Sequence, residues 1–484
     1  MEGSGAPVEI QAPPSKSLSH RALIAAALAD GVSVIRGLSE SADVTRTREA
    51  LTATGAEITR GAGNAWEVRG TAGPLRGDGD RVVVLDAGES GTSCRLLSAV
   101  AAAGRGRFLV RGEGRMDKRP MSALLTVLES LGARCEFYGG RGHTPFLLTA
   151  SGLEAPAGSE DAQDAFGGCP ERTVGAGKGH DPAVTAVDCS ETGQYLSGLL
   201  LAAPLSRKGL RLQSASRHIA SLPYVGLTLE VMGAFGADFR IEKMPPGRVG
   251  PADLAEAVAA CPNGAEGILF VVPEGRYRAA EYSVEGDWSG ASYFLAAGAV
   301  GPRAVRVAGL NLRSLQGDAV FLRLLEAMGA RTERDAGGVT VFPSRLKGIE
   351  VDMGDCPDLA PTLAALAAHA SGPTILTNAA NLKLKESDRI AAPAGELPKV
   401  GCAVEITDDG MVIIPPEGGP RRPAEGVVFS AYNDHRMAMS LALLGLPGRG
   451  GKGFAVRLDN PDCVAKSFPN FRETWGRLGA ASCL

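Results

Sequence analysis

The sequence predicts an α/β protein of two lobes, each made of three βαβαββ repeats with threefold pseudosymmetry. Helices are buried and mixed sheets lie outside, an inside-out α/β barrel. Three observations carry this expectation. Six helical stretches end in one kind of tag, glycine usually followed by alanine: Gly55-Ala56, Gly132-Ala133, Gly236-Ala237, Gly329-Ala330, Gly401-Cys402 and Gly479-Ala480, spaced 72–104 residues apart. Glycine past a helix end reaches the left-handed conformation without a Cβ clash. The first five tags lead into strand-like runs such as AEITR, ARCEF and ADFRIE. Finally, ALIAAALA, LLSAVAAA, YLSGLLLAAPL, SYFLAAGAV and LAPTLAALAA are apolar nearly all round, as buried helices should be.

In chain order, the first repeat reads VEIQA (strand), SHRALIAAALADG (helix), VSVIRG (strand), ADVTRTREALTATG (helix), then AEITR and AWEVRG as a hairpin. The second is the clearest: VVVLDAG, SGTSCRLLSAVAAAG, RFLVRG, RPMSALLTVLESLG, and a hairpin of ARCEFYGG with TPFLLTA. The sixth stops after its second helix, so a strand from elsewhere is expected to complete it. Residues 155–182, rich in Gly and polar residues without periodicity, read as a surface insertion.

A chain of 484 residues suggests several domains, and 44% hydrophobic content supplies their cores. A formal charge of -4 gives no global case for nucleic acid or an anionic membrane, so any basic site is local. The longest apolar runs reach about eight residues, short of a membrane span. No secretory signal is visible, and the nine cysteines include no CxxC pair, so a soluble cytoplasmic protein with reduced thiols is expected. Six histidines without ligand spacing make a metal site unexpected. Gly175–Gly179 and Gly450–Gly453 lack the Ser/Thr of a P-loop.

Unusual polar residues gather at the turn between the first strand and first helix of each repeat. They are Ser15-Lys16-Ser17-Leu18-Ser19-His20-Arg21, Glu89-Ser90-Gly91-Thr92 and Glu191-Thr192-Gly193-Gln194, then Glu285-Gly286-Asp287-Trp288-Ser289, Asp355-Cys356-Pro357-Asp358 and Asn433-Asp434-His435-Arg436. Helix N-termini attract anions. Ordinary capping accounts for the Ser, Thr and Asp. It does not account for Lys16, Arg21 or Arg436, since cations there oppose the dipole. Turns before the second helices add Arg115, Arg119, Lys383, Lys385, Arg389 and Lys466. Together these cations suggest a polyanionic small substrate.

The motifs PPSKSLSHRAL, SGTSCRLL, GEGRMDKRPM, GQYLSGLLLAAPL, VEGDWSGASYFLAAGAV, NLKLKESDRI, YNDHRMAMSLALLGL and DCVAKSFPNF, in this order, resemble the 5-enolpyruvylshikimate-3-phosphate synthases of the enolpyruvyl transferase family. The resemblance implies a discontinuous lobe, 1–19 and 283–484, carrying the acid, the base and the phosphoenolpyruvate clamp. An inserted lobe, 20–282, carries most shikimate 3-phosphate contacts, with a substrate cleft between the two. The implied reaction moves the enolpyruvyl group of phosphoenolpyruvate to the 5-hydroxyl of shikimate 3-phosphate with loss of phosphate, by addition and elimination, in aromatic amino acid biosynthesis, the pathway step that glyphosate targets. Glu386 matches the acid that protonates the methylene carbon, Asp358 the base, and Lys16 a cation near both substrates. Gly91, Arg119, Gln194, Arg389, Arg436 and Lys466, with Lys16, match the phosphoenolpyruvate side. Ser17, Arg21, Thr192, Gly193, Gln194, Ser221, Tyr224, Asn381 and Lys385, with Lys16 and Asp358, match the shikimate 3-phosphate side; His435 is a supporting residue. A monomer without metal or organic cofactor is implied.

The chain departs from the family at Glu89, where Asn is usual, at Thr192-Gly193, where a hydroxyl pair or Ser-Ala is usual, and at Pro393 and Pro398, which are expected to break the helix after Arg389. The sister reaction on UDP-N-acetylglucosamine calls for a loop cysteine that GEGRMDKRP lacks. A non-catalytic binding paralogue would not need Lys16, Asp358 and Glu386 together.

Overall fold

The computed structural model describes residues 6–77, 81–155, 182–243, 249–261, 263–447 and 453–479. Nearly all of the expected insertion, including Gly175–Gly179, lies outside the described residues, as do Gly450–Lys452 and Ala480. The chain divides into two compact units, Met1–Ser19 with Gly37–Thr45 and Val284–Leu484, and His20–Arg36 with Arg46–Ser283. Gly37–Thr45, expected with the inserted lobe, belongs instead to the discontinuous unit. The reason is polar: the Ser39 amide donates to Ser19 Oγ at 3.0 Å, and Asp43 accepts from Lys16 Nζ at 3.0 Å.

Each four-stranded sheet runs parallel, then antiparallel twice. In the inserted unit the orders are Val82–Asp86, Arg105–Arg111, Phe146–Ser151, Arg134–Phe137; Val184–Val187, Leu210–Ser214, Ile268–Val272, Arg240–Lys243; and Glu281–Ser283, Val32–Arg36, Ala65–Arg69, Glu57–Arg60. The discontinuous unit has Val8–Gln11, Val305–Ala308, Gly338–Phe342, Arg331–Asp335, and Glu350–Asp352, Thr374–Thr377, Met411–Ile414, Ala403–Ile406. Among the described residues no sheet closes into a barrel, so the fold is α/β with open mixed sheets.

The first repeat corrects the sequence reading. Val8–Gln11 pairs in parallel with Val305–Ala308, and Val32–Arg36 takes its parallel partner from Glu281–Ser283. Alternation in VEIQ buries Val8 and Ile10 on one face. Such a period of two specifies a face and leaves the neighbour open. Among the described residues the sixth repeat has a single parallel bridge, Phe429 to Leu458.

All six tag glycines have positive φ, from +65° to +105°, which is why this residue type recurs where each second helix ends. The first helices begin where the polar turns were noted: Lys16–Leu28, Gly91–Ala102, Gln194–Ala202, Trp288–Val300, Ala360–Ala367 and His435–Leu441. Most of their residues are buried, so the apolar faces exclude water on all sides and leave the N-termini as the polar ends. After Arg389 the helix runs only from Ala391 to Glu396, and a 3-10 turn, Leu397–Val400, follows with Pro398 at its second position. Pro393 sits in the first helical turn, where its missing N–H costs little. No helix among the described residues is long and apolar enough to cross a membrane.

Candidate active site

In the discontinuous unit the functional side chains form one charge network. Arg389, 1% exposed, is gripped on three sides. Its Nε donates to Asp434 Oδ2 at 2.8 Å, one terminal nitrogen to Asp358 Oδ1 at 2.8 Å, and the other to Glu386 Oε2 at 2.8 Å and Asp434 Oδ1 at 3.1 Å. Arg436 reaches Asp358 Oδ2 at 2.8 Å and also donates to Ser289 Oγ. Lys385 Nζ lies 3.7 Å from Asp358 and Lys466 Nζ 3.7 Å from Glu386. Two guanidiniums and two ammoniums thus surround two carboxylates, each carboxylate keeping part of its side chain exposed.

The local sequence explains how these groups are held. Asp434 caps the His435–Leu441 helix by accepting from the Arg436 amide at 2.9 Å, and Ser387 Oγ donates to its other oxygen at 2.8 Å. Tyr432 and Asn433 before it both have φ of +53°, a strained path for side-chain-bearing residues. The strain is held by Glu396, which accepts from Tyr432 OH at 3.1 Å and the Ser430 amide at 2.9 Å, and by Asp459, which accepts from the Ala431 amide at 2.8 Å. Lys466 ends the 3-10 turn Pro461–Lys466, and Phe468, Phe471 and Trp475 beyond it cluster on Phe294 with centroids 5.5–5.8 Å apart. Each ring pair adds roughly 0.5–1.5 kcal/mol beyond burial, which anchors this end of the chain.

Lys16 donates to Asp43 from its ammonium and to Asp287 Oδ2 from its amide, both at 3.0 Å, while Asp287 caps the Trp288 helix through Gly290 at 2.7 Å. Ser17 follows, half-buried, in the same helical turn. Asn381 lies in the 3-10 turn Ala380–Leu384, its Oδ1 buried without a hydrogen bond. His435 is buried with neither ring nitrogen hydrogen-bonded. Burial first, then the nearby Lys16 charge, pushes its pKa well below the usual histidine value, so it is a neutral imidazole.

Asp358 is held well below the usual carboxylate range. Burial alone would raise it, but Arg436, Lys385 and Arg389, in that order, more than reverse this. Asp434 is treated likewise: burial opposes its charge, and Arg389 brings it to about 2.

The inserted unit holds a second set. Arg21, 1% exposed, donates to Thr228 Oγ1 at 2.7 Å, to the Tyr224 carbonyl at 3.1 Å and to Ser197 Oγ at 3.4 Å. Burial among these neutral groups lowers its pKa to about 10. Ser221 has a φ of +60°, and its carbonyl accepts from the Tyr224 amide at 3.1 Å. The Gly193 amide donates to the Ala220 carbonyl at 2.8 Å, which brings Thr192, Gly193 and Gln194 beside Ser221. Gln194 accepts from Arg95 at 2.8 Å and donates to Thr92 Oγ1 at 3.0 Å. Arg95 and Tyr195 both donate to the Pro120 carbonyl, at 3.2 and 2.6 Å, fixing the segment that carries Arg119. The Arg119 guanidinium lies flat against Gly91, where a Cβ would stand 2.7 Å from three of its atoms.

Some expected cations stand apart. Lys383 is exposed and donates to the Asp408 carbonyl, and Arg115 is exposed. The Glu89 carboxylate leans on Gly114 in the turn Gly114–Lys118. The sequence reading gave only a capping role to Asp434, which holds Arg389, and to Ser289, which accepts from Arg436, and it did not single out Asp43, which holds Lys16, or Arg95, which fixes Gln194. Asp434 and Asp287 sit at helix N-caps, a signal present in the motifs; Asp43 lies 27 residues from Lys16 with nothing local to pair them.

An α/β fold of open mixed sheets, whose helix starts carry buried arginines and lysines beside paired carboxylates, defines a protein built to handle small anions. The profile of the family described as EPSP synthase (3-phosphoshikimate 1-carboxyvinyltransferase) matches residues 4–156 and 254–475. A 3-phosphoshikimate 1-carboxyvinyltransferase of Methanosphaerula palustris is 38% identical over 98% of this chain and 96% of its own, and one of Thiobacillus denitrificans is 36% identical over 97% and 96%. Among solved structures, an EPSP synthase from Acinetobacter baumannii superposes with a TM-score of 0.70 at 24% identity, covering 98% of this chain and 96% of that one. The chain belongs to the EPSP synthase family.

Proposed function

We propose that this chain transfers the enolpyruvyl group of phosphoenolpyruvate to the 5-hydroxyl of shikimate 3-phosphate, releasing phosphate. The observation that carries the reading is the gathering of Arg389, Arg436, Lys385 and Lys466 around Asp358 and Glu386, in a chain of this family. Arg389, Arg436, Lys466 and Arg119 hold the phosphate and carboxylate of phosphoenolpyruvate, with Gly91 beside Arg119 and Gln194 held by Arg95. Arg21, Ser17, Thr192, Gly193, Gln194, Ser221, Tyr224, Asn381 and Lys385 hold shikimate 3-phosphate, and Lys16 serves both.

The pairing pattern supports a substrate-triggered mechanism. Cations that depress Asp358 make it a poor base. An anionic substrate that engages Arg436, Lys385 and Arg389 draws those charges away and restores its capacity to take the 5-hydroxyl proton. The same exchange frees Glu386 from Arg389 and Lys466, so that it takes up a proton from water, delivers it to the methylene carbon in the addition, and takes one back from that carbon as phosphate leaves in the elimination. The cations then stabilise the charge of the addition and elimination steps.

The reading extends to architecture. The repeats of each unit are related by pseudo-threefold symmetry, 1–19 and 283–484 supply the acid, the base and most of the clamp, and 20–282 supply most shikimate 3-phosphate contacts. The protein works as a cytoplasmic monomer on two small anions, with neither nucleic acid nor membrane as partner. Phosphate release from phosphoenolpyruvate, measured with and without shikimate 3-phosphate, tests the function. Release is expected only with both substrates; none with both would refute it.

A further inference from the structure

Asp318 lies in the discontinuous unit at the turn Gly317–Val320, 1% exposed. The turn is locked to the start of the Trp288–Val300 helix: the Trp288 amide donates to Gln316 Oε1 at 3.1 Å, and Gln316 Nε2 donates to the Gly286 carbonyl at 2.8 Å. Asp318 hydrogen-bonds with the Ser289 hydroxyl, the same hydroxyl that accepts from Arg436, whose other terminal nitrogen holds Asp358. A continuous chain of hydrogen bonds therefore runs from Asp318 through Ser289 and Arg436 to Asp358. Nothing in the enolpyruvyl-transfer mechanism above uses its first member.

The geometry points to Asp318 as a positioning residue that, through Ser289, sets how much of the Arg436 charge is available to an anionic substrate. With a proton on Asp318, the Arg436 charge is opposed by one carboxylate fewer, Asp358 remaining its ion-pair partner. Without it, a further carboxylate competes for that charge and weakens the hold on an anion. The charged and titratable groups around Asp318 include Asp358, Arg436 and Asp287, with the Cys356 thiol close by. Burial, then Asp358, raises Asp318 to about 7, against the pull of Arg436, so the change falls within the working range of pH.

This rests on the proposed transfer reaction, and the two are separable by experiment. Apparent KM for phosphoenolpyruvate is followed by phosphate release from pH 6 to 8.5, and its Kd by calorimetry with shikimate 3-phosphate in a Glu386→Gln background, where no turnover consumes the ligands. Both constants should rise at least about fivefold across this range, the low end of typical coupling between linked sites. Asp318→Asn, which stays neutral, should flatten the rise to under about twofold. The ionisation of phosphoenolpyruvate is common to both proteins and cancels in their ratio. An undiminished rise in Asp318→Asn overturns the inference. If that variant does not fold, Ser289→Ala cuts the same route, and an undiminished rise there overturns it equally. Binding without turnover in the unaltered chain would sink the transfer reaction and leave the Asp318 comparison decisive through Kd. Loss of both binding and turnover would sink both.

Discussion

Gly91→Ala tests the contact between a helix start and its cation. The new Cβ would stand 2.7 Å from Cζ and both terminal nitrogens of Arg119. Non-bonded heavy atoms need about 3.5 Å, so something must yield by roughly 0.8 Å. The helix backbone is the stiffer side: Ser90 caps it through Ser93, and eleven of its twelve residues are buried. Arg119 must therefore retreat. A clamp displaced by about 1 Å can cost on the order of a hundredfold. Phosphate release at saturating shikimate 3-phosphate should show KM for phosphoenolpyruvate raised by about ten- to a hundredfold, with KM for shikimate 3-phosphate within about twofold. Stability should hold, since alanine favours a helix more than glycine does. An unchanged KM for phosphoenolpyruvate would show that Arg119 does not bind it.

Glu386→Gln should abolish turnover while shikimate 3-phosphate still binds, read by phosphate release and calorimetry; full turnover would remove Glu386 as the acid. Asp434→Asn keeps a helix cap but removes the charge that pins Arg389. From a carboxyl brought down to about 2, the cost is about 2 kcal/mol in urea unfolding at pH 7. Because the folded pKa is depressed, that stabilisation is present above the ordinary carboxylate pKa and is lost as pH falls through 2, so the gap to the variant should narrow only below about pH 4. Glu89→Asn should change KM for phosphoenolpyruvate less than about twofold, because the carboxylate leans on Gly114; a large fall would mean that it repels the substrate.

Much of this was readable from the chain. Tag glycines needing positive φ, apolar first helices and polar turns at their starts are local signals, and local signals survive in a linear string. What escaped was long-range pairing. Alternation in Val8–Gln11 pointed to a buried face, while its partner lies at Val305–Ala308. Cations stood out as anomalies at helix starts, yet their holders look like ordinary caps or surface acids: Asp434 for Arg389, Asp43 for Lys16. A carboxylate that serves another residue's charge differs from a cap only in three dimensions. The short helix at Ala391–Glu396 was legible because proline acts on its own backbone.

The exchange of strands between repeats has a consequence for biosynthesis. Val8–Gln11 leaves the ribosome about 300 residues ahead of the segment it pairs with, so at 5–20 residues per second it waits roughly 15–60 s for its partner. Through that interval an apolar strand edge stays open to the wrong neighbour, and nascent-chain chaperones would find their natural client in this waiting strand.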